Sequence, residues 1–190
     1  MNSLYNISIQ LYVIAIRFAA LFNAKAKLWV NGRKNIFQKI EEVTKGEQNI
    51  VWFHCASLGE FEQGKPIIEG YKQKYPSHKI LLTFFSPSGF EIRKNYEGVD
   101  WVFYLPADTK SNAKKFISIV KPIKVIFVKY EFWFNYMSEL SRKNIPFYSV
   151  STIFRKEQSF FKYNWFSKQL QNVNHFFVQD KTSADLLKSI

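Results

Sequence analysis

The sequence predicts an α/β domain of the Rossmann-like, doubly wound type, with a parallel sheet covered on both faces. Two observations predict it. Six runs of apolar or β-branched residues recur between positions 50 and 178, and a helical pattern lies between each pair. The runs are near-continuous rather than alternating, which is how strands buried on both faces read.

The runs are Ile50–His54, Ile80–Phe85, Trp101–Leu105, Val125–Val128, Phe147–Ser151 and His175–Val178. Helices are expected at roughly Gln63–Tyr75, Gly89–Tyr96, Ser111–Val120, Trp133–Lys143, Phe160–Leu170 and Thr182–Ile190. With 190 residues the chain suffices for one domain with a full core, and 20 Phe supply bulk for it. The last helical pattern runs to the final residue, and the reading expects a further domain to complete the protein.

Ahead of this body, no acid occurs before Glu41, whereas Arg17, Lys25, Lys27, Arg33, Lys34 and Lys39 do. Leu4, Ile7, Leu11, Ile14, Phe18, Leu21 and Leu28 recur at three- and four-residue steps, the spacing of an apolar helix face. A cleaved signal is disfavoured because no basic segment precedes the apolar run. A spanning helix is disfavoured by Gln10 and Arg17, which interrupt it. The reading favoured is a helix lying in the membrane interface, against the plainer alternative of a helix packed on the domain's own core. The expected division is therefore 1–40 for the membrane-associating helix and connector, and 41–190 for the Rossmann-like domain.

The formal net charge of +12 points to an anionic partner: nucleic acid, membrane or a phosphorylated substrate. Basic residues are spread rather than grouped beside aromatics, so nucleic acid is not expected. One cysteine, Cys55, and three scattered histidines offer no metal-ligand spacing, so no metal is expected. Neither GxGxxG nor GxxxxGK[ST] is present.

Ligands of doubly wound sheets bind on the loops after the strands. Those loops carry the specific signal. The blocks are HCASLGE (His54–Glu60), LLTFFSPSG (Leu81–Gly89), YLPADT (Tyr104–Thr109), KYEFWFN (Lys129–Asn135) and FFVQD (Phe176–Asp180). In order and spacing they resemble the amino-terminal half of the Kdo (3-deoxy-D-manno-octulosonic acid) transferases of lipopolysaccharide assembly. The resemblance covers essentially the whole chain.

It implies the amino-terminal, acceptor-binding domain of a GT-B glycosyltransferase. Such an enzyme moves Kdo from CMP-Kdo to a lipid A precursor at the cytoplasmic face of the inner membrane, with no cofactor. A carboxyl-terminal domain outside this chain would hold most of the CMP-Kdo. Glu60 matches the family's general base, which would take the proton of a sugar hydroxyl; the plain alternative is a first-turn acid favoured by the helix dipole. That dipole would lower its pKa and weaken it as a base. Ser57, Leu58, Gly59, Ser86, Ser88, Gly89, Glu131, Asn135 and Arg155 are the expected substrate-binding residues, and Trp133 shapes the Glu131 loop or fills core. The sequence departs from the family pattern Glu-Thr-Glu-x-Trp-Pro-Asn, having Lys129 for the first acid and Phe134 for the Pro. The arginine-rich block after the fifth strand is kept only in part, at Arg155. The competing function is a non-catalytic, basic membrane-binding module of the same fold.

Overall fold

A computed structural model describes residues 2–129 and 131–189 of the chain. Within the KYEFWFN block Tyr130 lies outside the described residues, as does Ile190 at the end of the last predicted helix. Six strands form one parallel sheet: β1 (Ile50–Cys55), β2 (Lys79–Phe84), β3 (Trp101–Tyr104), β4 (Lys124–Val128), β5 (Phe147–Thr152) and β6 (His175–Val178). Their spatial order is β3-β2-β1-β4-β5-β6, with the order reversing at β1 and β4 as the doubly wound reading expects.

Period-two geometry splits the strand residues between two cores. Trp52, Leu81, Val125, Phe127 and Phe147 face one side, beneath α3 (Ile36–Thr44), α6 (Lys110–Val120) and α7 (Phe134–Arg142). Val51, Phe53, Cys55, Leu82, Phe84 and Val128 face the other, beneath α4 (Leu58–Lys74) and α5 (Pro87–Arg93).

Helix boundaries depart from the sequence reading in three places. First, α4 begins at Leu58 rather than near Gln63, so Glu60 lies inside its first turn. Second, the single helix expected over Phe160–Leu170 is two, α8 (Ser159–Lys162) and α9 (Asn164–Leu170), separated by extended Tyr163 with φ −126°. The rings on each side join one core cluster through different neighbours: Phe160 packs on Phe132, Trp165 and Phe166 pack on Phe134, and Phe160 meets Phe166 edge to face at 5.9 Å. Third, the amino-terminal apolar face is broken. α1 (Asn2–Ala19) ends before α2 (Ala24–Asn31), which starts where Asn23 accepts a hydrogen bond from the Ala26 N–H at 3.0 Å. The two helices lie at 119°, and among the described residues no single helix is long and apolar enough to cross a membrane. The boundary expected at residue 40 falls inside α3, whose Ile36 and Ile40 belong to the core. The last helix is α10 (Lys181–Leu187).

α1 is two-sided. Tyr5, Ile9, Val13 and Ile16 are partly covered. Leu4, Ile7, Leu11, Ile14 and Phe18 are exposed, Leu4 by 74% and Phe18 by 68%, and the stripe continues through Leu21 and Phe22. An apolar stripe of that length needs a partner to cover it.

Close approach fixes one glycine. A Cβ on Gly89 would lie 2.3 Å from Phe84 Cδ1 and 3.1 Å from the Leu58 backbone nitrogen. Gly89→Ala is therefore expected to lower stability by about 1–3 kcal/mol through overpacking, read as a fall in the urea midpoint at unchanged slope.

Candidate active site

Three loops at the carboxyl ends of β1, β2 and β4 build the site. The β1 loop runs into α4, with Ser57 at the N-cap and Glu60 three residues on, the spacing of a capping box. Only half of the box forms. Ser57 makes no side-chain cap bond, while Glu60 accepts a backbone hydrogen bond from the Ser57 N–H and, at Oε2, a short one from the Ala56 N–H just before the N-cap. Gly59 is exposed, and a Cβ there would meet nothing within 4 Å. The first turn of α4 is thus uncovered beside the carboxyl group.

Glu60 is half-buried and forms no ion pair among the described residues. Burial is the main cause that pushes its carboxyl from 4.5 up to about 7; the charge of Glu131 adds to this. Hydrogen bonding from Ala56 and Ser57 and the charge of Lys129 act in the opposite direction. The weakening expected from the helix start is thus overturned: burial outweighs it.

The β4 loop supplies that electrostatic setting. Lys129 adopts a left-handed backbone (φ 64°), held by its N–H to Val150 O at 2.8 Å. Its carbonyl accepts from Ser149 Oγ at 3.2 Å and Thr152 Oγ1 at 3.3 Å. A non-glycine residue held in this region is strained, and surrounding bonds must hold it there. Beyond it, Phe132 is buried against Phe154 and Phe160, and the Trp133 ring packs tilted against Phe85 at 4.6 Å. The Trp133 indole N–H donates to His54 Nε2 at 3.2 Å, and Glu131 Oε2 lies 3.8 Å from the same nitrogen.

His54 is fully buried. Its Nε2 accepts from Trp133, so Nδ1 carries the hydrogen and donates toward Thr83 Oγ1 (2.9 Å) and Thr83 O (3.1 Å). Thr83 is in turn fixed by the Trp52 indole at 2.7 Å. Through these bonds His54 orients the loop that carries Glu131 and Trp133.

Asp108, in the loop after β3, anchors the far end of the same loop. Its Oδ2 accepts from the Asn135 N–H (3.1 Å) and from Tyr5 OH (2.5 Å), and its Oδ1 from the Tyr136 N–H (3.0 Å). It thereby caps α7 from a distant segment and ties α1 to it. Burial pushes this carboxyl up to about 6 despite those three donors.

The expected binding residues divide accordingly. Ser57, Leu58, Gly59 and Glu60 share one turn, and the Ser86 N–H donates to Ala56 O at 2.7 Å, bringing the β2 loop alongside. Ser86 and Ser88 bond each other at 2.9 Å and cap α5. The Leu58 side chain packs on the second core and Gly89 is buried at the start of α5, so any part of either in a site would be played by backbone. Asn135 spends its amide on Asn6 (2.9 Å) and Asp108 O (2.6 Å), a positioning role. Arg155 is exposed on the β5 loop, two strands from β1, and is not brought to Glu60.

Sequence reasoning did not single out Asp108, His54 or Tyr5. Asp108 sits within the YLPADT block, but its partners lie 27 residues away or more.

Known proteins fix the family. A family model described as 3-deoxy-D-manno-octulosonic-acid transferase (kdotransferase) matches residues 16–190. The chain belongs to the kdotransferase family. It is 33% identical over 98 residues to a 3-deoxy-D-manno-octulosonic acid transferase of Haemophilus influenzae, covering 51% of this chain and 23% of the relative. To the Aquifex aeolicus protein of that name it is 37% identical over 101 residues, covering 53% and 27%. To the Chlamydia trachomatis serovar D protein it is 29% identical over 129 residues, covering 67% and 29%. The matched segment is about a quarter of each relative's length. By fold this kdotransferase chain is similar to a structure of a UDP-N-acetylglucosamine 2-epimerase from Listeria monocytogenes. The TM-score is 0.52 at 10% identity, over 75% of this chain and 42% of that one.

Because the folded Glu60 carboxyl binds its proton more tightly than an ordinary glutamate, stability declines as pH rises from about 4.5 to about 7. Glu60→Gln keeps an acceptor for the Ala56 N–H and cannot ionise. It is expected to exceed wild type by about 1–3 kcal/mol at pH 8 and to match it at pH 4, in urea unfolding at each pH. A variant less stable than wild type at pH 8 would make Glu60 a simple helix cap.

Proposed function

We propose that this chain is the acceptor-binding part of a membrane-associated Kdo transferase of GT-B architecture. In this reading the reaction moves Kdo from CMP-Kdo to a lipid A precursor in lipopolysaccharide biosynthesis, and a further domain holds most of the donor. The reading includes no cofactor. The observation that carries it is Glu60: a carboxyl group at the carboxyl edge of β1, in no ion pair among the described residues, poised near neutrality beside an uncovered glycine.

A sugar alcohol is a poor nucleophile at neutral pH, so its proton must leave as the new bond forms. Ionised Glu60 accepts that proton on its carboxylate while the hydroxyl oxygen attacks the anomeric carbon of Kdo and CMP departs. A base with a pKa close to ambient pH combines a useful ionised fraction with a strong pull on the proton. Glu131 raises the basicity of Glu60 and Lys129 tempers it, so the lysine replacing the family acid adjusts the base rather than removing it. Phe134, replacing the family proline at the first position of α7, fills core instead, packing on Tyr5, Trp165 and Phe166. In this reading Ser57, Ser86 and Ser88, on the β1 and β2 loops joined by the Ser86 N–H to Ala56 O bond, would serve as donors for acceptor hydroxyls, and Arg155 would be left for more distant phosphates.

The exposed stripe of α1 supports contact with the cytoplasmic face of the inner membrane, as a peripheral or monotopic attachment. The stripe would serve a non-catalytic membrane module equally well, and only turnover separates the two readings.

Measured on the gene product carrying the donor domain, kcat/KM is expected to fall about tenfold per pH unit below about pH 7. Glu131→Gln should move that limb to lower pH, and Lys129→Gln should move it higher. Glu60→Gln should lose at least about a hundredfold; unchanged transfer in that variant removes Glu60 from the chemistry and leaves the binding module.

A further inference from the structure

A second feature lies on one flank of α1, away from Glu60. A groove of about 800 Å³ separates α1 from α2, α3 and the start of α6. Four cations line it, Arg17, Arg33, Lys34 and Lys115, and no acid does among the described residues. None of the four forms an ion pair among the described residues.

Arg33 is the unusual member. Its guanidinium donates to three backbone carbonyls: Leu105 and Phe85 at 2.8 Å, and Trp29 at 3.0 Å. It also lies over the Trp29 ring at 3.8 Å and the Tyr104 ring at 4.7 Å. The carbonyls and rings hold it in place but supply no negative charge. A cation kept out of water without a counter-charge is costly unless an anion arrives.

A second observation points the same way. Trp29, 5% exposed, lines the groove, and its buried indole nitrogen finds no acceptor among the described residues. Orphaned buried donors are rare and call for an explanation. Two helix starts border the same space, with Asn35 and Thr109 at their N-caps, so backbone dipoles add to the positive field.

The groove's position selects the anion. Ile14 belongs to the exposed stripe and also lines the groove. With the stripe in the acyl boundary, the groove opens at the level of lipid phosphates. We propose that this groove holds the phosphate of an anionic phospholipid headgroup, with exposed Arg17, Lys34 and Lys115 at its edge and Arg33 deeper. The inference rests on the membrane contact proposed above. It adds a built headgroup site, distinct from the Glu60 turn, that fixes how the domain sits on the bilayer.

The test is vesicle co-sedimentation of the chain with phosphatidylglycerol or phosphatidylcholine vesicles. Wild type is expected to prefer phosphatidylglycerol by at least about tenfold. The triple variant Arg17→Gln, Lys34→Gln, Lys115→Gln should lose that preference yet still bind phosphatidylcholine. Removing equal charge near the opposite sheet edge, at Lys156, Lys168 and Lys181, should leave most of it. Equal losses in the two triple variants would reduce the effect to net charge and overturn the site, as would an unchanged preference in the groove variant. Glycerol 3-phosphate should compete wild type off phosphatidylglycerol at a concentration where sodium chloride of equal ionic strength does not; equal effects also overturn it. The membrane reading itself fails separately, if Leu11→Glu leaves binding to both vesicles unchanged or if that variant instead abolishes self-association of the vesicle-free chain.

Discussion

The arrangement depends on one buried carboxylate. Asp108 is 1% exposed and receives three hydrogen bonds, from the backbone of Asn135 and Tyr136 and from the hydroxyl of Tyr5. An ionised carboxylate withdrawn from water is stable only when its lone pairs are met this way. In return it holds together three segments far apart in sequence: the amino-terminal helix, the β3 loop and the start of α7. The loop carrying Glu131 and Trp133 is pinned at that end by Asp108 and at the other by the strained backbone of Lys129. A route therefore runs from the amino-terminal helix with its exposed apolar stripe through Tyr5 and Asp108 to the loop of the residue that tunes Glu60.

At Glu60 two effects compete, and their sizes decide the outcome. A carboxylate in the first turn of a helix gains about 0.3–1 kcal/mol from the dipole, and its hydrogen bonds add to that. Removal from water costs more. A rise from 4.5 to about 7 corresponds to roughly 3 kcal/mol against the charged form, with burial the largest cause, Glu131 adding to it, and Ala56, Ser57 and Lys129 opposing. The half-formed capping box is consistent with this balance. Glu60 keeps the Ala56 N–H, but Ser57 leaves its own side of the box unmade.

The fold was legible almost in full because strands buried on both faces leave an unambiguous apolar signature. All six strands fall within one residue of the predicted runs at each end. The first turn of α4 was harder to place, since Ser57 to Glu60 are small or polar and show no helical period. Glu60 and its loop were legible through the ordered blocks, not through spacing alone. The positioning residues were not. His54 reads as one more strand residue, and its role depends on Thr83 lying opposite on β2. Asp108 caps a helix from another loop, and no local pattern announces a cap supplied from outside. Arg33 counts as one cation among many until its lack of a counter-charge is visible in three dimensions. The amino-terminal apolar repeat was read correctly as a face and incorrectly as one rod, because the Asn23 cap acts over only three residues.

The central claim is that burial holds the Glu60 carboxyl near neutrality at the edge of β1. The most direct measurement is a pH titration of the Glu60 side-chain carbon by ¹³C NMR, assigned against Glu60→Gln. The account predicts a midpoint near 7, well above the 4.5 of an ordinary glutamate. A midpoint at or below 4.5 would mean that the helix start and the Ala56 N–H govern this carboxylate, and the base assigned to it would have no physical support.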